Sequence, residues 1–167
     1  MNFTDFSLKF NKYPIGNAKK ELNKIQEIGE TEFGNHIHRK KAAIVAFHIK
    51  NNAFYRELIK GSRQYVNWDS LPILTKKDLQ KPLKERLSDG YSLSKIYTRK
   101  TSGSSGHQFY FAKDKFTHAL TWAIIENRFG WFNLNGKKQA RFYGLPKERI
   151  NSYKELLKDF VLNRERF

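Results

Sequence analysis

Apolar residues recur three and four positions apart through several stretches of this chain, the spacing that lines one face of a helix. Residues 1–16 read as an irregular lead-in closed by Pro14 and Gly16. Asn17 then stands as a cap before Leu22, Ile25 and Ile28, which share a face, and Gly29 fits the end. A longer helix is predicted from about Glu32 to Asn51. Its Ile37, Ile44, Val45, Phe47 and Ile49, with Ala42, Ala43 and Ala46, make a face wide enough to be largely buried. Residues 52–59 give a short helix stopped by Gly61. Asp114 caps another, with Leu120, Trp122, Ala123, Ile124 and Ile125 on its buried side and Gly130 at its end. Ser152 caps a last amphipathic helix with Tyr153, Leu156, Leu157, Phe160 and Val161 on its apolar side.

Between the helices lie β-branched and aromatic runs that read as strands, at residues 95–100, 108–111 and 139–143. Pro72 biases Leu71 away from helix, so residues 68–74 read as a turn entering an extended segment. Thr75 and Asp78 have the form of a capping box for a short helix that ends before Pro82. No strand is expected after residue 143. Three strands fall short of the five or six of a typical sheet. The expected fold class is α/β: a helical half over residues 1–90, then an incomplete sheet-and-helix layer over residues 91–167, together one portion of a domain.

Composition narrows the classes. The aromatic share of 15% argues for a folded chain. No run approaches the ~18 apolar residues that span a bilayer. The first residues show neither a basic start nor an apolar core of a signal peptide, so the expectation is a cytoplasmic protein. Without Cys there is no disulfide framework and no thiolate. Thirty-two Lys and Arg against 16 Asp and Glu give a net charge of +16. That balance attracts nucleic acid or another polyanion at low salt. The lysines occur as pairs such as Lys19-Lys20 and Lys137-Lys138 rather than long runs, which also fits ordinary solvated faces.

The candidate chemistry sits between the first two strands, at Thr101, Ser102, Gly103, Ser104, Ser105 and Gly106. Glycines let backbone amides converge on one point and hydroxyls add donors around it, which suits a phosphate. The spacing fits neither a Walker loop, which needs a Lys-Ser/Thr after its last glycine, nor a dinucleotide fingerprint. A flexible hairpin loop is the plain alternative.

Thr101-Ser102-Gly103-Ser104-Ser105-Gly106 resembles the phosphate-binding loop of the adenylate-forming superfamily. Upstream, Phe54-Tyr55-Arg56, Trp68 and Leu71-Pro72-Ile73-Leu74-Thr75-Lys76-Lys77-Asp78-Leu79 resemble the phenylacetate–CoA ligase branch, and within it the CapK-type proteins of capsular polysaccharide biosynthesis. The resemblance covers roughly residues 40 to 145. It implies the N-terminal part of an enzyme in which a carboxylate attacks the α-phosphorus of ATP, giving an acyl-adenylate and pyrophosphate, before a thiol such as coenzyme A takes the acyl group. It also implies that residues 101–106 grip the β- and γ-phosphates. Mg²⁺ would accompany ATP, with its ligand outside this chain. His107-Gln108 replace the proline expected after the loop, and Lys113 is the nearest lysine beyond it. The family's adenine, ribose and catalytic-lysine motifs are absent, so no catalytic residue is assigned. The expectation is a truncated piece, inactive alone, which a partner supplying the missing half would complete.

Other candidates are set beside that reading. His36, His38, His48, His107 and His118 lack the acidic companions of a metal set, and no metal ligand is assigned. A serine nucleophile would need a Gly-x-Ser-x-Gly elbow, which residues 103–106 miss by one position. His107 adjoins the loop and could contact a phosphate when protonated. Trp122, Phe129, Trp131 and Phe132 fit pocket walls or helix-to-sheet packing, and Tyr143 is carried as a substrate-pocket candidate.

Overall fold

A computed structural model describes residues 3–60, 68–101, 108–142 and 162–167, together with residues 153, 156, 157, 159 and 160. The chain divides into two compact units, one formed by Met1–Leu22 with Phe116–Phe167 and the other by Asn23–Lys115.

The first unit opens on a helix, α1 (Phe3–Phe10), where an irregular lead-in was expected. Asp5 in its first turn complements the positive end of the helix dipole. The helix ends on Lys12, which takes the left-handed conformation at φ 59°. Tyr13 N donates to Leu8 O at 2.8 Å and Lys12 N to Lys9 O at 2.9 Å, the bonding pattern of a Schellman stop. Pro14 follows, and α2 (Ile15–Gln26) begins at once, two residues ahead of the expected Asn17 cap. Leu8, Ile15 and Ala18 are buried with Ala119 and Ala123 of α5 (Lys115–Trp131), and Tyr13, Leu22, Leu120 and Trp122 pack around them. Alanine on both helices permits close approach, so this core is built from small side chains and only one large, fully buried one, Ile15.

An ion cluster flanks that core. Lys19 Nζ lies 2.7 Å from Asp5 and 2.7 Å from Glu126. Burial works against the ammonium, but hydrogen bonds to Asp5 and Glu126 outweigh it and hold Lys19 above its ordinary pKa. The expected stop of α5 at Gly130 is not used. The helix runs through it to Trp131, and Asn133 at φ 53° makes the left-handed cap, with Leu134 N on Phe129 O at 2.8 Å.

Strand β3 (Gln139–Arg141) pairs in parallel with β4 (Arg164–Arg166), in the register Gln139↔Arg164 and Arg141↔Arg166. This closing strand corrects the expectation of none after residue 143. Helical residues lie in the connection, but Tyr153, Leu156, Leu157 and Phe160 are exposed while Asp159 is buried. The expected apolar side is therefore not the side this segment buries. Ser152 and Val161 lie outside the described residues.

The second unit is organised on α3 (Glu30–Asn51). Its apolar face was expected to be largely buried, yet Val45 is its one buried residue, and Ile44 and Phe47 remain 47% and 37% exposed. Asn52 ends α3 and caps α4 (Ala53–Leu58) by accepting from Tyr55 N at 2.8 Å. Arg56 Nη1 donates back to the Ile49 and Lys50 carbonyls at 3.0 Å each, satisfying orphan acceptors at the end of α3. Asp78 accepts from Thr75 N at 2.7 Å and from the Thr75 hydroxyl at 2.6 Å, but residues 76–79 form a turn rather than the expected helix. These bonds hold the Asp78 carboxyl below its ordinary pKa.

Short 3-10 turns at Trp68–Ser70, Leu83–Arg86 and Leu93–Lys95 lead into β1 (Tyr97–Lys100), which pairs antiparallel with β2 (Tyr110–Lys113). The fold is thus α/β, and the strands among the described residues form two two-stranded sheets. Among the described residues no helix is long and apolar enough to cross a membrane.

Candidate functional site

Of the six residues that carry the phosphate reading, Thr101 is described, and Ser102, Gly103, Ser104, Ser105 and Gly106 lie outside the described residues, as do His107 and Tyr143. Two hydrogen bonds join the flanks of the segment. Thr101 N donates to Phe109 O at 2.9 Å, and Phe109 N donates to Thr101 Oγ1 at 3.0 Å. Main chain and side chain of one threonine thus pin both ends together, one step beyond the last strand pair, Lys100↔Tyr110. Because Thr101 Oγ1 accepts from Phe109, its own hydroxyl hydrogen is left to donate elsewhere.

Arg86 holds the hairpin from the side. Its Nη2 donates to Tyr110 O at 2.5 Å, its Nε donates to Lys81 O at 2.8 Å, and its guanidinium lies 5.2 Å from the Phe109 ring centroid. A planar fork reaches two carbonyls and an aromatic face at once, which lysine cannot do. Burial lowers the Arg86 pKa from its ordinary value. Nothing in the local sequence singled this arginine out, because its partner Tyr110 lies 24 positions further along.

Behind Arg86 is a buried polar knot. Asn52 Nδ2 donates to Arg86 O at 3.0 Å and to Ser88 Oγ at 3.0 Å, while Asp89 N donates to Asn51 O at 2.7 Å. Ser88 Oγ lies 3.4 Å from His48 Nδ1. Since Ser88 Oγ already accepts from Asn52, its hydrogen points to His48 when that ring nitrogen is unprotonated. Burial pushes His48 below its ordinary pKa, in favour of that neutral form. Asn52 and Ser88 are both buried, so each of these bonds replaces contact with water.

The knot forms part of the floor of a cleft of about 480 Å³, within the size range of small-molecule sites. Ile44, Phe47, Leu83, Leu87 and Phe111 supply its apolar walls. The upstream segment thought to accompany the loop lies at another cleft on α3, where Leu71, Pro72, Ile73 and Leu74 face Val45, Tyr55 and Trp68. Ile73 is 93% exposed there, so this segment is laid on the surface rather than built into a core.

The remaining aromatic candidates separate. Trp122 packs at the core of the first unit and donates from Nε1 to His118 Nε2 at 3.3 Å. Phe129 joins it at a small cavity of about 210 Å³. Trp131 and Phe132 are exposed. Among the described residues no group of His, Asp and Glu could hold a metal ion.

No family model matches the chain, and neither does any curated protein or solved structure. The labels that the resemblance suggested, namely ligase, adenylate-forming, AMP-binding, phenylacetate–CoA ligase-like, CapK and capsular polysaccharide biosynthesis, are therefore dropped. What stands is an α/β chain of two units with a pinned hairpin and a cleft beside it.

Proposed function

We propose that the hairpin of β1 and β2 presents residues 101–106 to the phosphate groups of a nucleoside triphosphate. The observation that carries this reading is the reciprocal Thr101–Phe109 pair. It fixes the two ends of a Ser/Gly segment and frees one hydroxyl hydrogen for an oxyanion. Stabilising phosphate charge needs donors held in place and no nucleophile from the protein, so such a segment can contribute without a catalytic residue of its own. Among the described residues no group of three or more His, Asp and Glu could hold Mg²⁺. The cytoplasm, where nucleoside triphosphates are abundant, is the setting this reading requires.

Isothermal titration with ATP·Mg²⁺ tests it. Binding by the wild type that is abolished by Gly103→Val and weakened about tenfold by Thr101→Val supports the reading. Absence of wild-type binding at millimolar nucleotide overturns it.

The net charge of +16 favours a second reading, a basic module that takes nucleic acid or another polyanion. Its retention on heparin or duplex DNA would fall steeply with salt, because each neutralised phosphate releases counterions. If retention is gone at about 0.15 M salt, this alternative fails.

A further inference from the structure

A groove of about 510 Å³ runs along α3 in the second unit. Ala42, Val45, Ala46 and Ile49 form its floor, and the two alanines leave room above the helix for a flat ring. At about 100° per residue these four positions fall between Lys41 on one rim and Lys50 on the other, about 14 Å apart along the helix axis. Trp68, at the start of a 3-10 turn packed against α3, supplies an aromatic wall that is 44% exposed. Lys41 Nζ stands 5.0 Å from the centroid of that ring. Among the described residues the lining holds no Asp or Glu, whereas Asp69 and Asp114 line two other clefts that border α3.

Cations spaced along a groove attract an anion with spaced charges, and an aromatic face half in water attracts a flat apolar ring. A single-stranded nucleic acid offers both on one chain, since its phosphates repeat along the backbone and its bases are free to stack on protein. A duplex keeps its bases paired, and heparin carries the charge with no base to stack. We propose that this groove is a binding site for single-stranded nucleic acid, with a base stacked on Trp68 and neighbouring phosphates on Lys41 and Lys50. The exposed cation–π contact of Lys41 is weak beside the stacking of a base. An arriving base therefore takes its place on the ring, and Lys41, on a flexible four-carbon stem, turns its ammonium to the phosphate. The inference rests on the reading of the chain as a basic module and names the surface and the form of nucleic acid. It requires no nucleoside triphosphate and no residue of the 101–106 segment.

Fluorescence anisotropy of a labelled oligothymidylate of about 12 nucleotides, titrated with the full chain at about 0.1 M salt, tests it. The wild type binds the strand, and Trp68→Ala weakens binding about tenfold while retention on heparin is unchanged. Trp68→Phe, which keeps a stacking face, retains most of the affinity. Lys41→Gln combined with Lys50→Gln also weakens binding, and makes the slope of log affinity against log salt shallower by about 1.4, the share of two phosphates on a single strand. Undiminished strand affinity in Trp68→Ala or in the double lysine variant overturns the proposal. So does an equal loss on heparin in Trp68→Ala, or a loss in Trp68→Phe as large as in Trp68→Ala. If heparin retains the wild type at about 0.15 M salt but the strand does not bind, the groove proposal fails and the basic-module reading survives. If neither binds, both fall.

Discussion

Single residues in the second unit act across long sequence gaps, and Asn52 is the clearest case. It caps α4 and also ties the end of α3 to Arg86 and Ser88, which lie 34 and 36 positions away. The capping role follows from its place just before a helix-forming run. The other bonds were not legible, because no periodicity marks a donor whose acceptors come from a distant turn. His48 closes the same network and supplies a pH dependence. Its folded pKa is lowered by burial, so the unfolded chain takes up a proton more readily as pH falls below about 6.5. Stability is undiminished by this group above that pH and is lost as pH falls from there through the lower folded pKa. Thermal melts at pH 7.5 and 5.5 should therefore show a drop that is smaller in His48→Gln than in the wild type. An identical drop in both would show that His48 is not the group responsible.

Whole elements were legible where periodicity and stop signals agreed. The sequence pattern placed α3 within two residues of its start and at its observed end. β1 and β2 followed from runs of β-branched and aromatic residues around a glycine-rich break. α1 was missed since Pro14 and Gly16 look like loop punctuation, whereas they separate two helices rather than fill a lead-in. β4 was missed because Arg164-Glu165-Arg166 has no apolar alternation, and its pairing with β3 is a backbone property. Residues 101–106 stood out by composition, but the setting of Arg86 and the cleft it lines depend on tertiary contact. Helix ends offer a direct test of this level of description. Lys12 adopts a left-handed conformation that costs an L-residue about 1 kcal/mol and costs glycine little. Lys12→Gly should raise the stability of the first unit by about 0.5–1 kcal/mol, read from a urea midpoint that moves up with unchanged slope. A lower midpoint would show that the lysine side chain contributes more than its backbone costs.

At the scale of the whole molecule, the balance of buried and exposed apolar surface decides behaviour. The buried hydrophobic side chains among the described residues are few, and three of them are alanines, which bring little transfer free energy. Against them stand Phe10, Ile73, Trp131, Phe132 and Phe160, each with about two-thirds or more of its surface in water. Scattered exposed side chains are ordinary, but Trp131 and Phe132 adjoin along the chain, and Ile44, Phe47 and Trp68 border neighbouring clefts on α3. Covering such surface favours association, whereas a net charge of +16 opposes it through repulsion between like-charged chains. The two effects respond oppositely to salt. Raising salt screens the repulsion, with a Debye length of about 10 Å at 0.1 M and about 3 Å at 1 M, and leaves apolar attraction intact. The isolated chain should therefore run nearest to monomer at low ionic strength and shift to larger species as sodium chloride rises, observed by light scattering behind size exclusion. Trp131→Ser with Phe132→Ser should move that shift to higher salt, since it removes apolar surface without changing charge. A chain that stays monomeric and monodisperse across the whole salt range would mean that the exposed side chains are too dispersed to act together. Larger species that dissolve on adding salt would instead assign the association to ion pairing between basic and acidic faces.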